Sequence, residues 1–371
     1  MNIGAVAILL LLIALALWIS ELWIKYKPAH ALAARKLLHL AGVGAVGVAP
    51  IYFEQKSLLA GILFLASLLL AVAVNRRWLL VDVHARKSWG IAVFPLAAAI
   101  LLLLYARLDI ARVLYPMLVL TLADAAAALV GSLLAGGAIF LNGSRKTPAG
   151  SLAFLCCTLL IYMVLPGVLQ SWHPSWYLSL SGERGEALPW MMIFTLALAL
   201  THTEAVSGGS LDNLTVPLMA GWLMGMLPVL SPDNLQWVLP VWGIFGLAAW
   251  LAHWRKWLSA GGAATAWLLG WVVWLAAGWA AVGLLAIFFA AGSLLGRLPM
   301  PYAATDAKHG KPRDGFQVFA NGGVAMLCLM GYGMAPHTGW LFLFALSVAV
   351  STADTFSSEA GTRWGKRPIT L

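Results

Sequence analysis

Hydrophobic residues occur in long stretches of near membrane-spanning length, separated by short polar breaks. The stretches cover residues 3–20, 37–53, 58–74, 89–106, 112–140, 151–170, 189–203, 214–230, 235–252, 262–277, 279–296, 317–333 and 339–352. A bilayer core takes about 20 apolar residues per helical crossing, so the pattern predicts about thirteen transmembrane helices. Ten-residue units of alternating polarity are absent, which excludes a β-barrel. The predicted fold class is an all-α polytopic integral membrane protein. The first stretch has neither a basic leader nor a small-residue cleavage site, so it reads as a membrane helix and not as a signal peptide.

Composition agrees with this pattern. Of 371 residues, 62% are hydrophobic and 10% are charged, against about a quarter charged in an ordinary soluble domain. A soluble enzyme is excluded, and any chemistry must sit at helix ends or in short loops. The formal net charge is +9. With almost no solvated domain to carry a basic face, that excess marks topology and not nucleic acid. An outside amino terminus leaves only Lys56, Arg107, Arg112 and Arg184 of the 23 basic residues on the outer side. The positive-inside rule then places the polar motifs at the cytoplasmic side, in a bacterial inner membrane. The three cysteines lie in apolar runs and read as small buried residues.

Against that basic background a few carboxylates stand out. Asp124 sits in or beside a Leu-Ala-Val segment, where a lone carboxylate costs at least about 2.5 kcal/mol and needs a cation or metal partner. Glu204, Asp212 and Asn213 surround a Ser-Gly-Gly break, an oxygen-donor set suited to a hard cation. Basic pairs complement them at Arg35-Lys36, Arg86-Lys87 and Arg145-Lys146. The last pair opens Arg145-Lys146-Thr147-Pro148-Ala149-Gly150-Ser151. There Pro148 fits a helix start, Gly150 lets backbone approach a ligand, and the terminal amides with Lys146 and two hydroxyls form a phosphate site. It is not a Walker loop, because Ser144 and Arg145 separate Gly143 from the lysine. His39 lies one helical turn past Arg35 and either faces this site or packs between helices. Ala123-Asp124 with Gly131 echoes Ala353-Asp354 with Gly361, consistent with two related halves.

In order, Arg35-Lys36-x-x-His39, Arg86-Lys-Ser-x-Gly90, Ala123-Asp124 with Gly131, Lys146-Thr-x-x-Gly-Ser151, and Glu204 with Asp212-Asn213 before Val216-Pro217 resemble the dolichol kinase and phytol kinase family of membrane prenol kinases. The resemblance covers residues 20–230. It implies a CTP-dependent, Mg²⁺-assisted kinase acting on a long isoprenoid alcohol, with a fold distantly related to CDP-diacylglycerol synthases. By the same resemblance Lys146, Thr147, Gly150 and Ser151, with Arg35, Lys36 and Arg86, hold nucleotide phosphates. Asp124, Glu204 and Asp212 serve the metal and the substrate hydroxyl, with Asn213 beside them.

Residues from about 253 onward resemble a second membrane family that includes the plastid phytyl-phosphate kinase. The matching elements are Ser259-Ala-Gly-Gly262, Asn321-Gly322-Gly323, and Ala353-Asp354-Thr-Phe-Ser-Ser-Glu359. That family continues through a Gly-Thr-x-Gly-x-x-Ser element, so the expectation is either an incomplete sequence or a second half without its own phosphate loop. The domain reading is 1–230, a connecting helix at 231–252, and 253–371. The rival functions are cytidylyl transfer to phosphatidic acid and membrane transport. Chain length of the alcohol and oligomeric state are left open.

Overall fold

The structure is a computed structural model, and it describes residues 3–27, 31–78, 89–105, 109–134, 136–172, 190–296 and 312–364. It divides into two compact units, Met1–Leu230 and Ser231–Leu371. Each apolar stretch carries helix, because in hydrocarbon the backbone must satisfy its own hydrogen bonds. Seven helices among the described residues are long and apolar enough to cross a membrane, and three shorter apolar helices accompany them. The chain is a polytopic membrane protein.

The first unit contains α1 (Ile3–Tyr26), α2 (Ala31–Tyr52), α3 (Lys56–Arg76), α4 (Gly90–Tyr105) and α5 (Ala111–Leu118). A π-helical turn at Val119–Ala123 joins α5 to α6 (Asp124–Leu133). A two-stranded hairpin follows, β1 (Ile139–Leu141) and β2 (Ser144–Lys146), then α7 (Pro148–Trp172), α8 (Trp190–Val206) and α9 (Asp212–Met226). Its core joins Val43 and Val46 of α2, Leu59 and Leu63 of α3, Phe94 and Leu101 of α4, and Met117 of α5. Lipid tails are as apolar as leucine, so close approach between helices decides packing more than hydrophobicity does. Gly47 shows this: a Cβ there would stand 2.8 Å from the Met117 Cβ, so α2 lies tight against α5 only because the side chain is absent.

The hairpin corrects two expectations. The helix expected over 112–140 ends at Leu133, and residues 139–146 form an antiparallel ribbon, so the unit is not wholly α. Asn142 (φ 48°) and Gly143 (φ 77°) supply the turn. Two consecutive left-handed residues match strand twist in a two-residue hairpin, and Asn-Gly is the dipeptide that adopts this most readily. The hairpin brings the ends of α6 and α7 to one end of the bundle.

The second unit contains α10 (Pro232–Leu235), α11 (Val238–Trp254), α12 (Ala260–Leu295), α13 (Gly315–Met334) and α14 (Thr338–Trp364). The stretch expected to connect two domains packs as α11 against α12, as a member of this unit. The stretches 262–277 and 279–296 are two arms of α12, broken at Gly278, whose φ of 75° and ψ of −168° suit only glycine. Ser259 caps α12 through the Gly262 amide, and Asp314 with Gln317 forms a reciprocal capping box on α13.

Candidate functional site

Lys36 and His39 are three residues apart on α2, so they share a face. Both reach Asp124, the first residue after the π turn. Lys36 Nζ lies 2.9 Å from Asp124 Oδ2 and His39 Nε2 lies 3.3 Å from the same oxygen. His39 Nε2 is also 3.1 Å from the Leu120 carbonyl, inside the π turn. Such turns widen the helix and recur at functional sites. The partner cation required by this half-buried carboxylate is therefore Lys36, with the ambiguous His39 facing this site.

Glu204 lies in the last turn of α8 and is 6% exposed, and Asp212 opens α9. Gly209 (φ 63°) and Ser210 (φ 73°) reverse the chain between them, so the two helix ends adjoin. Ser207 Oγ and Thr215 Oγ1, 2.6 Å apart, tie that corner together. Asp212 Oδ1 accepts from the Asn213 amide at 3.0 Å. Lys146, at the end of β2, places Nζ 2.5 Å from Glu204 Oε1 and 3.5 Å from Asp212 Oδ2. Burial lowers the Lys146 ammonium pKa, but Glu204 and Asp212 outweigh this and hold it above its ordinary value, so it stays charged through neutral pH.

Oxygens of Asp124, Glu204 and Asp212 lie within 4.8 Å of one another. Three carboxylates so close repel unless cations intervene. Lys36 and Lys146 supply two positive charges, leaving one net negative charge with His39 neutral. A hard divalent cation fits that oxygen set and that charge.

The hairpin frames the site. Asn142 Nδ2 donates to the Val206 carbonyl at 2.7 Å, and the Gly209 amide donates to Ser144 Oγ at 3.2 Å. A cavity of about 380 Å³ opens beside the carboxylates, bordered by Lys36, His39, Asp124, Ser144, Arg145 and Asp212 among others. Ile91 and Phe94 of α4 form part of its apolar wall. Asn213 is buried at its edge.

The stretch from Thr147 to Ser151 departs from the expected phosphate loop. Pro148 does open α7. However, the Gly150 amide is taken by Thr147 Oγ1 at 3.1 Å, so the hydroxyl caps the helix and that amide is not free for a ligand. Gly150 serves helix packing: a Cβ there would meet the Ala127 carbonyl and Thr147 Oγ1, both at 2.9 Å. Ser151 sits half-buried in the first turn, its amide bonded to the Thr147 carbonyl. Gly143, Ser144 and Arg145 of the hairpin line the cavity in their place. Gly150→Val is expected to force α6 and α7 apart and to cost about 1–3 kcal/mol, measured as thermal stability in detergent. An unchanged unfolding midpoint would refute that packing role. Arg35 falls on α2 beside Lys36, and Arg86 lies outside the described residues.

In the second unit the expected residues are spread apart in role. Asn321 borders an apolar cavity of about 210 Å³ with Arg313 and Gly322, and its carbonyl accepts from Ser351 Oγ at 3.0 Å. Gly322 admits Leu269 of α12, whose Cδ1 a Cβ would meet at 2.7 Å, while Gly323 lies against the Phe319 ring. Asp354 is exposed on α14, unlike Asp124. The two glycines of the echo also differ: Gly131 packs against Thr147 and Gly150, whereas a Cβ on Gly361 would meet nothing within 4 Å among the described residues. Glu359 raises the pKa of the Arg313 guanidinium, although burial is the larger influence and leaves it below its ordinary value.

Residues 243–371 match the family described as Integral membrane protein DUF92. That similarity covers roughly the last third of the chain and does not reach the carboxylate cluster. No curated protein and no solved structure matches the chain.

Proposed function

We propose that the protein is a CTP-dependent prenol kinase that transfers a phosphoryl group to the hydroxyl of a long isoprenoid alcohol. The observation carrying this reading is the convergence of Asp124, Glu204 and Asp212 with Lys36 and Lys146 beside a cavity at the ends of apolar helices. Phosphoryl transfer asks chiefly for positioning and charge neutralisation, and this set of groups supplies both. The carboxylate oxygens suit Mg²⁺, which when bound neutralises charge on the phosphate oxygens. Asp124, tied to Lys36 and His39, stays anionic as a ligand together with Glu204. Asp212 accepts the hydroxyl proton, being held at one oxygen by its own helix start and at the other only by the longer Lys146 contact. Arg145, exposed on the hairpin, and Lys36 orient the nucleotide phosphates from the cavity wall. The prenyl tail lies among the helices and presents its hydroxyl at the same end.

In this reading the chain crosses a bacterial inner membrane about thirteen times, with its amino terminus outside and the site facing the cytoplasm. The second unit transfers a further phosphoryl group from a nucleoside triphosphate to the monophosphate, giving the prenyl diphosphate and a nucleoside diphosphate.

The test is the full chain in lipid vesicles with γ-labelled CTP and farnesol, geranylgeraniol or phytol. Labelled prenyl phosphate with release of CDP is expected. Pyrophosphate release with phosphatidic acid would replace the kinase by a cytidylyltransferase, and no nucleotide-dependent product with any of these substrates would overturn the reading. Monophosphate that never proceeds to diphosphate would remove the role of the second unit.

A further inference from the structure

We infer that His39 is a positioning residue that aims Asp124 at the cation, acting through the π turn. The inference rests on the divalent-cation reading of the carboxylate cluster but not on the identity of the substrates.

A carbonyl only accepts, so the 3.1 Å contact to the Leu120 oxygen means that His39 Nε2 carries a hydrogen. The same nitrogen faces Asp124 Oδ2 at 3.3 Å, and Lys36 approaches that oxygen at 2.9 Å. The N–H thus goes to a backbone oxygen of the widened turn, and that bond seats the imidazole against the carboxylate four residues later, restricting the turn's shape and the Asp124 rotamer together. With Oδ2 held by Lys36 and faced by the imidazole, Oδ1 takes no hydrogen bond among the described residues and is the oxygen left for a cation. The groups facing His39 are Lys36 from its own helix, Leu120 and Asp124 from the π turn and α6, and, across the cavity, Asp212 of α9. Lys36 supplies charge but cannot do this work alone, because its flexible ammonium can follow Asp124 into other rotamers, whereas the histidine is anchored to backbone. Hydrogen bonds to ligating carboxylates orient them, and removing such a partner typically weakens metal binding about 10- to 100-fold.

Mn²⁺ binding to the purified full chain, followed by electron paramagnetic resonance, tests this without requiring turnover. His39→Ala is expected to weaken Mn²⁺ binding at least about tenfold. His39→Gln places an amide N–H at nearly the reach of Nε2 and is expected to restore affinity to within about threefold, whereas His39→Asn falls one bond short and is expected to behave like alanine. Should the alanine variant not fold, the contrast between Gln and Asn decides. Equal affinity across wild type, Ala, Asn and Gln, or equal loss in Asn and Gln, overturns the positioning role. A wild-type chain that binds no Mn²⁺ overturns this inference and the cation reading together, whereas wild-type binding indifferent to His39 sinks only the inference.

Discussion

Asp124→Asn is expected to lower CTP-dependent prenol phosphorylation on the order of a thousandfold while the protein still inserts and purifies as a folded species. The substitution preserves shape and removes one negative charge from a cluster whose three carboxylates lie within 4.8 Å of one another. Asparagine still offers an oxygen to Lys36, and Lys36 is 27% exposed, so its ammonium also reaches water. The structural cost is therefore smaller than for a fully buried pair broken on one side. The loss should fall on catalysis, because a neutral amide is a poor ligand for a hard cation and leaves the phosphate charge less well neutralised. The assay is initial rate with labelled CTP, paired with size-exclusion behaviour and thermal stability in detergent. Wild-type turnover in this variant would remove Asp124 from the mechanism.

The second large effect concerns stability. Lys146→Met keeps the length of the side chain and deletes the cation between Glu204 and Asp212. Glu204 is almost wholly buried, and removing one partner of a buried ion pair typically costs about 3–5 kcal/mol. The variant is expected to unfold at a markedly lower temperature in chelator. A divalent cation takes over the missing charge: at a hundred times its dissociation constant it returns about 2.7 kcal/mol. The unfolding midpoint of Lys146→Met should thus climb steeply with added Mg²⁺, and more steeply than that of wild type, where Lys146 already neutralises part of the carboxylate charge. Identical midpoints of variant and wild type in chelator would show that the lysine does not balance this cluster.

Both expectations depend on residues distant in sequence, and the fold was more legible in the chain than the site was. The helices were readable because an apolar run of spanning length leaves a backbone in lipid only one local solution. The boundary at 278 was visible as a break between two apolar stretches, and Gly278 proves to be the kink. Asp124, Glu204 and Asp212 were conspicuous as carboxylates in apolar or basic surroundings, where charge has to be matched. The Asn142-Gly143 turn was also written in the sequence, yet the apolar count across 112–140 concealed it, since Ile139, Phe140 and Leu141 suit a strand as well as a helix.

The packing of Gly150 was hidden in the sequence for a different reason. A glycine beside a proline at a helix start is compatible with a ligand cradle and with tight helix packing, and only the position of Ala127 on the neighbouring helix chooses between them. Asp124 and Asp354 carry the same local motif, but one meets Lys36 and the other is exposed, because local sequence does not specify which helix packs alongside. His39 is the sharpest case. Spacing put it on the face of Lys36, but its bond is to Leu120 inside a π turn, and nothing in the local pattern distinguishes that turn from ordinary helix.

The sequence by itself therefore determined the membrane class, the helical elements and the scarcity of charge that marks the candidate carboxylates, all of which follow from transfer free energies summed over neighbouring residues. The tertiary structure alone decided which carboxylates share a site, which lysines balance them and which nitrogen orients Asp124. Those are pairings across 58 to 88 residues of chain, and their energy exists only once the helices have packed.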